Sequence, residues 1–137
     1  MDSALDYFNV TANNFSPISS KSDTHRLQEL LLYIGFPPNL YGYSYIVYAM
    51  ELIIQNPDNM HHVTKGLYID VAKHFNTIPE RVERAIRHSI NATWAYGNKE
   101  LLNTMFYNYI KPNKGVPTNS LLLARLYYYI KNMDNVK

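Results

Sequence analysis

The sequence has no cysteine among its 137 residues. Disulfide bonds, thiolate nucleophiles and cysteine-ligated zinc sites are therefore excluded, and the composition suits a reducing cytoplasm. Long apolar runs are also lacking, because none approaches the roughly 18–20 residues that a membrane-spanning helix needs. The stretch from Met1 to Asp6 has neither the basic region nor the apolar segment of a secretion signal. We therefore expect a cytoplasmic protein that neither binds nor crosses a membrane.

Sequence signals of catalysis are missing as well. The chain has no phosphate-binding loop, no nucleophile elbow and no histidine–carboxylate pair matched to a candidate nucleophile. His61 and His62 are adjacent, but no carboxylate or further histidine follows at ligand spacing. We therefore expect a protein that is not an enzyme and that uses no cofactor, no metal and no small-molecule substrate.

Charged residues are few, at 18%, and the net charge is only +2. Proteins dedicated to nucleic acid are often more basic, because lysine and arginine make the phosphate contacts. The total charge therefore favours DNA binding only slightly, and its distribution along the chain matters more. Thirteen tyrosines supply most of the aromatic content. Tyrosines at the margin of a helical core are a better explanation of this number than a platform that stacks bases.

Apolar residues recur at helical spacings of three and four from His25 onward, whereas residues 1–24 are mostly polar. We divide the chain into a polar N-terminal arm, 1–24, with at most one short helix, and a helical domain, 25–137. Caps and turn residues predict helices from His25 to Gly35, from about Tyr41 to Gln55, from the N-cap Thr64 to Phe75, from Pro79 to Gly97, from Lys99 to about Asn108, and after Thr118 or Asn119. No segment alternates with the period of a strand. The prediction is an all-α single domain of about six helices.

Two of these helices, joined around residues 76–79, have the form of a helix-turn-helix. Ala72 is small where the two helices must approach closely. The apolar residues expected to fill the wedge between them are Val71, Phe75, Val82, Ala85 and Ile86. The second helix has two candidate starts. Thr77 and Glu80 fit a capping box, whereas Pro79 as the first helical residue would make Ile78 the cap.

The second helix of this pair is amphipathic. Val82, Ile86 and Ile90 share one side of it, and the opposite side carries Arg81, Glu83, Arg84, Arg87, His88 and Asn91. A recognition helix places its first two turns in the major groove of DNA. An arginine side chain can donate two hydrogen bonds, to O6 and N7 of guanine, and a glutamate carboxylate can accept one from the cytosine amino group. The alternative is a solvated face held by the i,i+4 pairs Glu83–Arg87 and Glu80–Arg84.

The same residues resemble a known family. The resemblance spans roughly residues 27–132 and includes Phe75-Asn76-Thr77, Trp94, Gly97-Asn98, Gly42-Tyr43 with Tyr45, Pro117-Thr118-Asn119-Ser120 and above all the run Arg81-Val82-Glu83-Arg84-Ala85-Ile86-Arg87-His88. The family that these residues resemble is the C-terminal DNA-binding domain of the stage-zero sporulation response regulators of endospore-forming Firmicutes.

This resemblance implies a six-helix domain that recognises short GC-containing promoter boxes in double-stranded DNA, often as a tandem homodimer. It implies that Glu83, Arg84 and Arg87 face the bases and that Arg81 and His88 lie near the phosphates. Further candidates for phosphate contacts are Lys73, Lys114, Thr118 and Asn119. We therefore expect a sequence-specific transcription regulator that reads the major groove with the helix from about 79 to 96.

Four features depart from the family pattern. Only 24 residues precede the first predicted helix of the domain, too few for a phosphoaccepting receiver domain, so we expect a regulator without one. Glu80 replaces a serine, Tyr96 replaces an arginine and Val116 replaces a lysine. These changes lower the positive field at the DNA face. They keep open the alternative of an interaction protein that binds another regulator, such as the full-length sporulation regulator, without reading DNA.

Overall fold

The computed structural model describes residues 21–111 and 113–133. Within these residues the fold is all-α, as predicted, and contains no strand. Its six α-helices are α1 (Lys21–Ile34), α2 (Tyr41–Gln55), α3 (Tyr68–Phe75), α4 (Pro79–Tyr96), α5 (Lys99–Phe106) and α6 (Asn119–Met133). A 3-10 helix (Pro57–His61) and a π-helical turn (Val63–Leu67) connect α2 to α3. Residues 1–20, most of the predicted polar arm, lie outside the described part.

One apolar core joins the helices. It includes fully buried residues from α1, α2, α4 and α6, namely Leu27, Leu30, Leu31, Ile34, Ile46, Ala49, Ile53, Val82, Ile86, Ile90, Leu122, Leu123, Leu126 and Ile130. Their spacings of three and four place them on one stripe of each helix, which is why each helix has a single buried face. None of the helices within the described ranges is long and apolar enough to cross a bilayer.

Helix α1 begins at Lys21, four residues before the start that the apolar period indicated. The additional turn is held by ionic contacts rather than by apolar ones. The Asp23 carboxylate lies 3.6 Å from an Arg26 guanidinium nitrogen and 3.7 Å from Nζ of Lys131 on α6. An acidic residue in a first turn also interacts favourably with the helix dipole. A period of apolar residues cannot reveal a turn that is stabilised in this way.

The C-terminal ends of α1 and α4 meet at two glycines. Gly35 ends α1 with φ of 108°, and the amide of Phe36 donates back to Leu31 O at 2.9 Å, as in a Schellman motif. A Cβ at Gly35 would lie 2.7 Å from the Cα of Gly97, so a side chain would push the helices apart. The amide of Asn98 donates to Ile34 O at 2.8 Å, which satisfies a carbonyl at the end of α1.

The start predicted for α3, with Thr64 as N-cap, is wrong. Residues Val63–Leu67 form a π-helical turn, and the α-helix begins only at Tyr68. His62 O accepts from both Gly66 N at 2.9 Å and Leu67 N at 3.0 Å, which widens the turn. Val63 and Leu67, at the two ends of this turn, are both buried.

The last two helices follow the predicted caps. The side chain of Asn98 accepts from Leu101 N at 3.1 Å and begins α5, which ends at Phe106, two residues before the predicted end. Of the two residues considered as caps for α6, Thr118 performs the role, because its Oγ1 accepts from Leu121 N at 3.1 Å. Asn119 is instead the first residue of α6.

The predicted position of Phe75 in the wedge between α3 and α4 is also wrong. Its side chain is partly exposed and packs edge-on against Tyr45 of α2, with ring centroids 5.0 Å apart. The neighbouring His74 stacks on Tyr48 at 3.8 Å. Of the other residues predicted at the wedge, Val71, Ala72, Val82 and Ile86 are buried and Ala85 is half-buried.

Helices α2 and α4 approach most closely at Gly42. A Cβ on Gly42 would lie 2.9 Å from Cβ of Ser89, and closer still to Ser89 Oγ and to the carbonyl oxygen of Ala85. No real Cβ tolerates such contacts, so the two backbones can meet here only because position 42 has no side chain.

We predict that Gly42→Ala lowers the free energy of unfolding by about 1–3 kcal/mol, because α4 must move away from α2. Gly66→Ala is the control, since a Cβ there meets only His62 Cβ at 3.6 Å. That change should be neutral or stabilise by up to about 1 kcal/mol. Urea denaturation of both variants tests this, and equal stabilities would contradict the close approach of α2 and α4.

Candidate DNA interface

The turn between α3 and α4 comprises residues 76–78 and has a defined geometry. Asn76 adopts the left-handed conformation, with φ of 57° and ψ of 50°. The amide of Thr77 donates to Ala72 O at 2.9 Å, and that of Asn76 donates to Lys73 O at 3.3 Å. This is a Schellman motif, and asparagine tolerates its left-handed position better than most residues. The chain therefore reverses within three residues.

Helix α4 begins at Pro79, and Ile78 is its N-cap with extended backbone angles. No side chain caps the first turn, so Thr77 and Glu80 do not form a capping box. Proline fits the first helical position because it needs no amide partner there, and it forces the preceding residue out of the helical region. The interpretation with Ile78 as the cap is therefore the one that the structure adopts.

Helix α4 has a buried and an exposed face, as its sequence predicted. Val82, Ile86, Ile90 and two polar residues, Ser89 and Thr93, are buried. Arg81, Arg84, Arg87 and His88 are all exposed, and Glu83 is half-exposed between them. The exposed residues span the first three turns after the reversal. The arrangement presents several hydrogen-bond donors, together with the Glu83 acceptor, to whatever lies against this face.

Glu83 and Arg87 form an ion pair on the exposed face of α4, between Glu83 Oε2 and an Nη of Arg87. The hydrogen bond to Glu83 and the charge of its carboxylate raise the pKa of Arg87 further above its ordinary value. Of the two i,i+4 pairs that the sequence suggested, this one is present. No carboxylate lies within ion-pair distance of Arg84 in the described part of the chain. Arg84 thus keeps all its donors for a ligand.

The start of α6 lies beside the exposed face of α4. The side-chain amide of Asn119 donates to the backbone carbonyl oxygen of Glu83 at 3.1 Å. The exposed residues Thr118 and Lys114 precede this contact along the chain, and exposed Lys73 belongs to the last turn of α3 before the reversal. The fold therefore places the start of α6 next to Glu83. Lys73 and Lys114 are further exposed cationic residues, one at the end of α3 and one before α6.

Asn119 differs from the other predicted contact residues because its side chain is already occupied. The residue is 9% exposed, and its amide also donates to Tyr68 Oη at 2.9 Å. Burial raises the pKa of the Tyr68 hydroxyl, and the nearby Glu83 carboxylate adds to this, whereas the Asn119 hydrogen bond and the Arg87 charge lower it. Tyr68 was not among the predicted site residues. Its partner is 51 residues away, so no local sequence signal identifies it.

Of the three positions at which the resemblance implies a departure from the family pattern, two are solvent-exposed. Glu80 is exposed in the first turn of α4, and Tyr96 is 90% exposed at its last residue. Val116 is half-buried and packs against the core. Glu80 and Tyr96 therefore lie at the two ends of the exposed face of α4, where a bound ligand could meet them.

Residues 27–130, well over half of the chain, match the family model described as Sporulation initiation factor Spo0A C terminal. The matched region contains α2 to α5, most of α1 and α6, and every predicted contact residue. The family is one of DNA-binding domains of transcription factors and is not enzymatic. The resemblance found in the sequence is therefore confirmed. This chain belongs to the family of the C-terminal, DNA-binding domain of the sporulation initiation factor Spo0A.

Proposed function

We propose that this chain is a sequence-specific regulator of transcription that reads the major groove with α4. One observation carries the proposal. Three arginines and a histidine are exposed on α4 immediately after the three-residue reversal, opposite a face that is fixed in the core. A helix with one face anchored and the other rich in donors is what a duplex groove can accept.

The base contacts are assigned to Glu83, Arg84 and Arg87. Arg84 and Arg87 each offer the fork that matches O6 and N7 of guanine, and the Glu83 carboxylate can accept from a cytosine amino group. The preferred sites should therefore contain G·C pairs. Because Glu83 also pairs with Arg87, the two side chains act as one unit that presents an acceptor and several donors together.

The phosphate contacts are assigned to Arg81, His88, Lys73, Lys114 and the Thr118–Asn119 segment. The first four are exposed cationic or titratable side chains around α4 and its neighbours. The Asn119 amide is engaged internally, so its contact has to come from the backbone N–H at the first turn of α6. Unpaired amides at a helix start are suited to a phosphate oxygen.

Selection of bound duplexes from a random DNA pool is the direct test. The wild-type protein should enrich a short motif that contains G·C pairs. The same selection with a variant carrying both Arg84→Ala and Arg87→Ala is the control, and it should lose that motif while retaining weak binding. Failure of the wild-type protein to enrich any motif would reject the proposal.

A second candidate function is an interaction protein that binds another regulator, such as the full-length sporulation regulator, and does not read DNA itself. The observations in its favour are the exposed carboxylate of Glu80 and the nearly fully exposed ring of Tyr96, at opposite ends of α4. A carboxylate repels phosphate, and an exposed tyrosine is frequent at protein interfaces. Binding of the purified regulator by a chain that enriches no DNA motif would favour this candidate.

We predict that Arg84→Ala or Arg87→Ala weakens binding to the selected sequence by roughly ten- to a hundredfold and relaxes preference at one base pair. Arg81→Ala, at a phosphate-contact candidate, should weaken binding to matched and mismatched duplexes about equally. It should also reduce the slope of log affinity against log salt concentration by about one. Fluorescence anisotropy on both duplexes at several salt concentrations distinguishes the two classes. Equal losses on both duplexes for Arg84 and Arg87 would place these residues with the phosphate contacts.

We also predict that Glu80→Gln strengthens DNA binding several-fold at low salt, with the gain fading as salt increases. The carboxylate is also favourable for the helix dipole, so the free energy of unfolding should fall by about 0.3–1 kcal/mol. Glu51→Gln removes the same charge from α2 instead of α4 and is the control. Unchanged affinity in Glu80→Gln at low salt would show that position 80 lies away from the DNA backbone.

Tandem binding gives a further prediction, since the family resemblance implies a homodimer on adjacent boxes. Two adjacent boxes should be bound more tightly than one, because the second protomer binds beside an already bound partner. Titration of one-box and two-box duplexes, with a two-box duplex spaced by an extra half turn as control, measures this gain. Identical affinity per box in all three duplexes would argue for independent monomers.

A further inference from the structure

Three helices of the DNA-binding fold are joined by one buried asparagine. Asn119 is the first residue of α6, and both hydrogens of its amide are used. One is donated to the Tyr68 hydroxyl of α3 at 2.9 Å, and the other to the main-chain carbonyl of Glu83 on α4 at 3.1 Å. Tyr68 is 6% exposed and Asn119 9% exposed, so water competes little for these bonds. We call Asn119, Tyr68 and the Glu83 carbonyl the asparagine junction.

The junction lies directly beneath the side chains assigned to base reading. Glu83 accepts from Asn119 through its main chain and from Arg87 through its carboxylate. The Tyr68 hydroxyl is near enough to feel both charges of this ion pair, since Glu83 and Arg87 both influence it electrostatically. A lateral movement of the Glu83 main chain would therefore carry the carboxylate and the guanidinium of Arg87 with it.

The junction contributes little to holding α6 on the domain. That helix is anchored by Leu122, Leu123, Leu126 and Ile130, which are fully buried, and its first turn is capped by Thr118. Loss of one amide hydrogen bond should thus leave the helix in place. The hydrogen bonds add direction instead, because a hydrogen bond weakens steeply when its angle departs from the preferred geometry.

We infer that Asn119 and Tyr68 are positioning residues for sequence recognition, which hold Glu83, and through it Arg87, at the position required to meet a base edge. The inference rests on the proposed function. It assigns to Asn119 an internal role that is distinct from a phosphate contact. It also predicts that damage to the junction impairs discrimination between sequences more than it impairs binding to DNA in general.

Two conservative variants break the junction at different bonds. Tyr68→Phe removes the hydroxyl and leaves the ring in the core. Asn119→Asp can still accept from Tyr68 but can no longer donate to the Glu83 carbonyl. Ser120→Asp is the matched control, because it adds the same charge to the exposed neighbouring position of α6 without touching the junction. Thermal unfolding followed by circular dichroism establishes that all three variants are folded.

The measured quantity is the ratio of affinities for the selected duplex and a scrambled duplex. Ser120→Asp should weaken both equally and leave the ratio unchanged. Tyr68→Phe and Asn119→Asp should lower the ratio about fivefold or more, which corresponds to loss of one good base contact. Folded junction variants with the wild-type ratio would overturn the inference. A wild-type protein without sequence preference would instead reject the proposed function, so the two failures are distinguishable.

A second measurement needs no DNA. The Nε–Hε resonance of Arg87, assigned by its absence in Arg87→Lys, reports the surroundings of the guanidinium in the free protein. Both junction variants should shift this resonance, and Ser120→Asp should not. An unchanged resonance in Tyr68→Phe and Asn119→Asp would show that the junction does not position Arg87, and would overturn the inference whatever the DNA affinities are.

Discussion

The close approach of α2 to α4 at Gly42 sets the rotation of α4 about its own axis. Because the backbone of α2 lies directly against Ala85 and Ser89, these two positions must face inward. The helical period then turns Val82, Ile86 and Ile90 toward the core and leaves Arg84 and Arg87 outward. An added methyl group at position 42 would disturb the orientation of the whole exposed face. The base contacts proposed for the arginines thus depend on a residue that has no side chain.

The local charge on the exposed face of α4 differs from the net charge of the whole chain. With a net charge of only +2, the protein as a whole attracts DNA weakly. Three arginines on three turns of one helix nevertheless create a locally positive face, since screening over about 8–10 Å limits the influence of distant carboxylates. Glu80 and Glu83 lie within that distance and reduce the local field. A weak general attraction combined with the proposed base contacts favours discrimination between sequences over tight non-specific binding.

The sequence was sufficient for the parts of the fold that depend on local patterns. Helix α2 was predicted with its observed bounds, and α4 to within two residues at its start and one at its end, because Asn56-Pro57 and Pro79 are strong boundaries and the apolar period is regular. The cap at Asn98 and the exposed face of α4 followed from the same local rules. The π-turn at Val63–Leu67, the exposed position of Phe75 and the first turn of α1 did not. The first turn of α1 and the position of Phe75 involve partners distant in sequence, Lys131 for Asp23 and Tyr45 for Phe75. The π-turn is closed by local hydrogen bonds to His62 O that no apolar period reveals.

In the candidate site, too, features set by local spacing could be predicted, whereas contacts between distant residues could not. Arg84 and Arg87 could be identified because spacing along a helix is sufficient to place them on one face. The engagement of Asn119 with Tyr68 and Glu83 could not, since these contacts span 51 and 36 residues. The Glu83–Arg87 ion pair could be predicted from local spacing, and it also affects how Arg87 would meet DNA. It restricts a flexible arginine before DNA is met, which lowers the entropy lost on binding. In the proposed function, its carboxylate repels phosphate and directs the remaining Arg87 donors toward base edges, so that an ion pair of little value for stability matters for recognition.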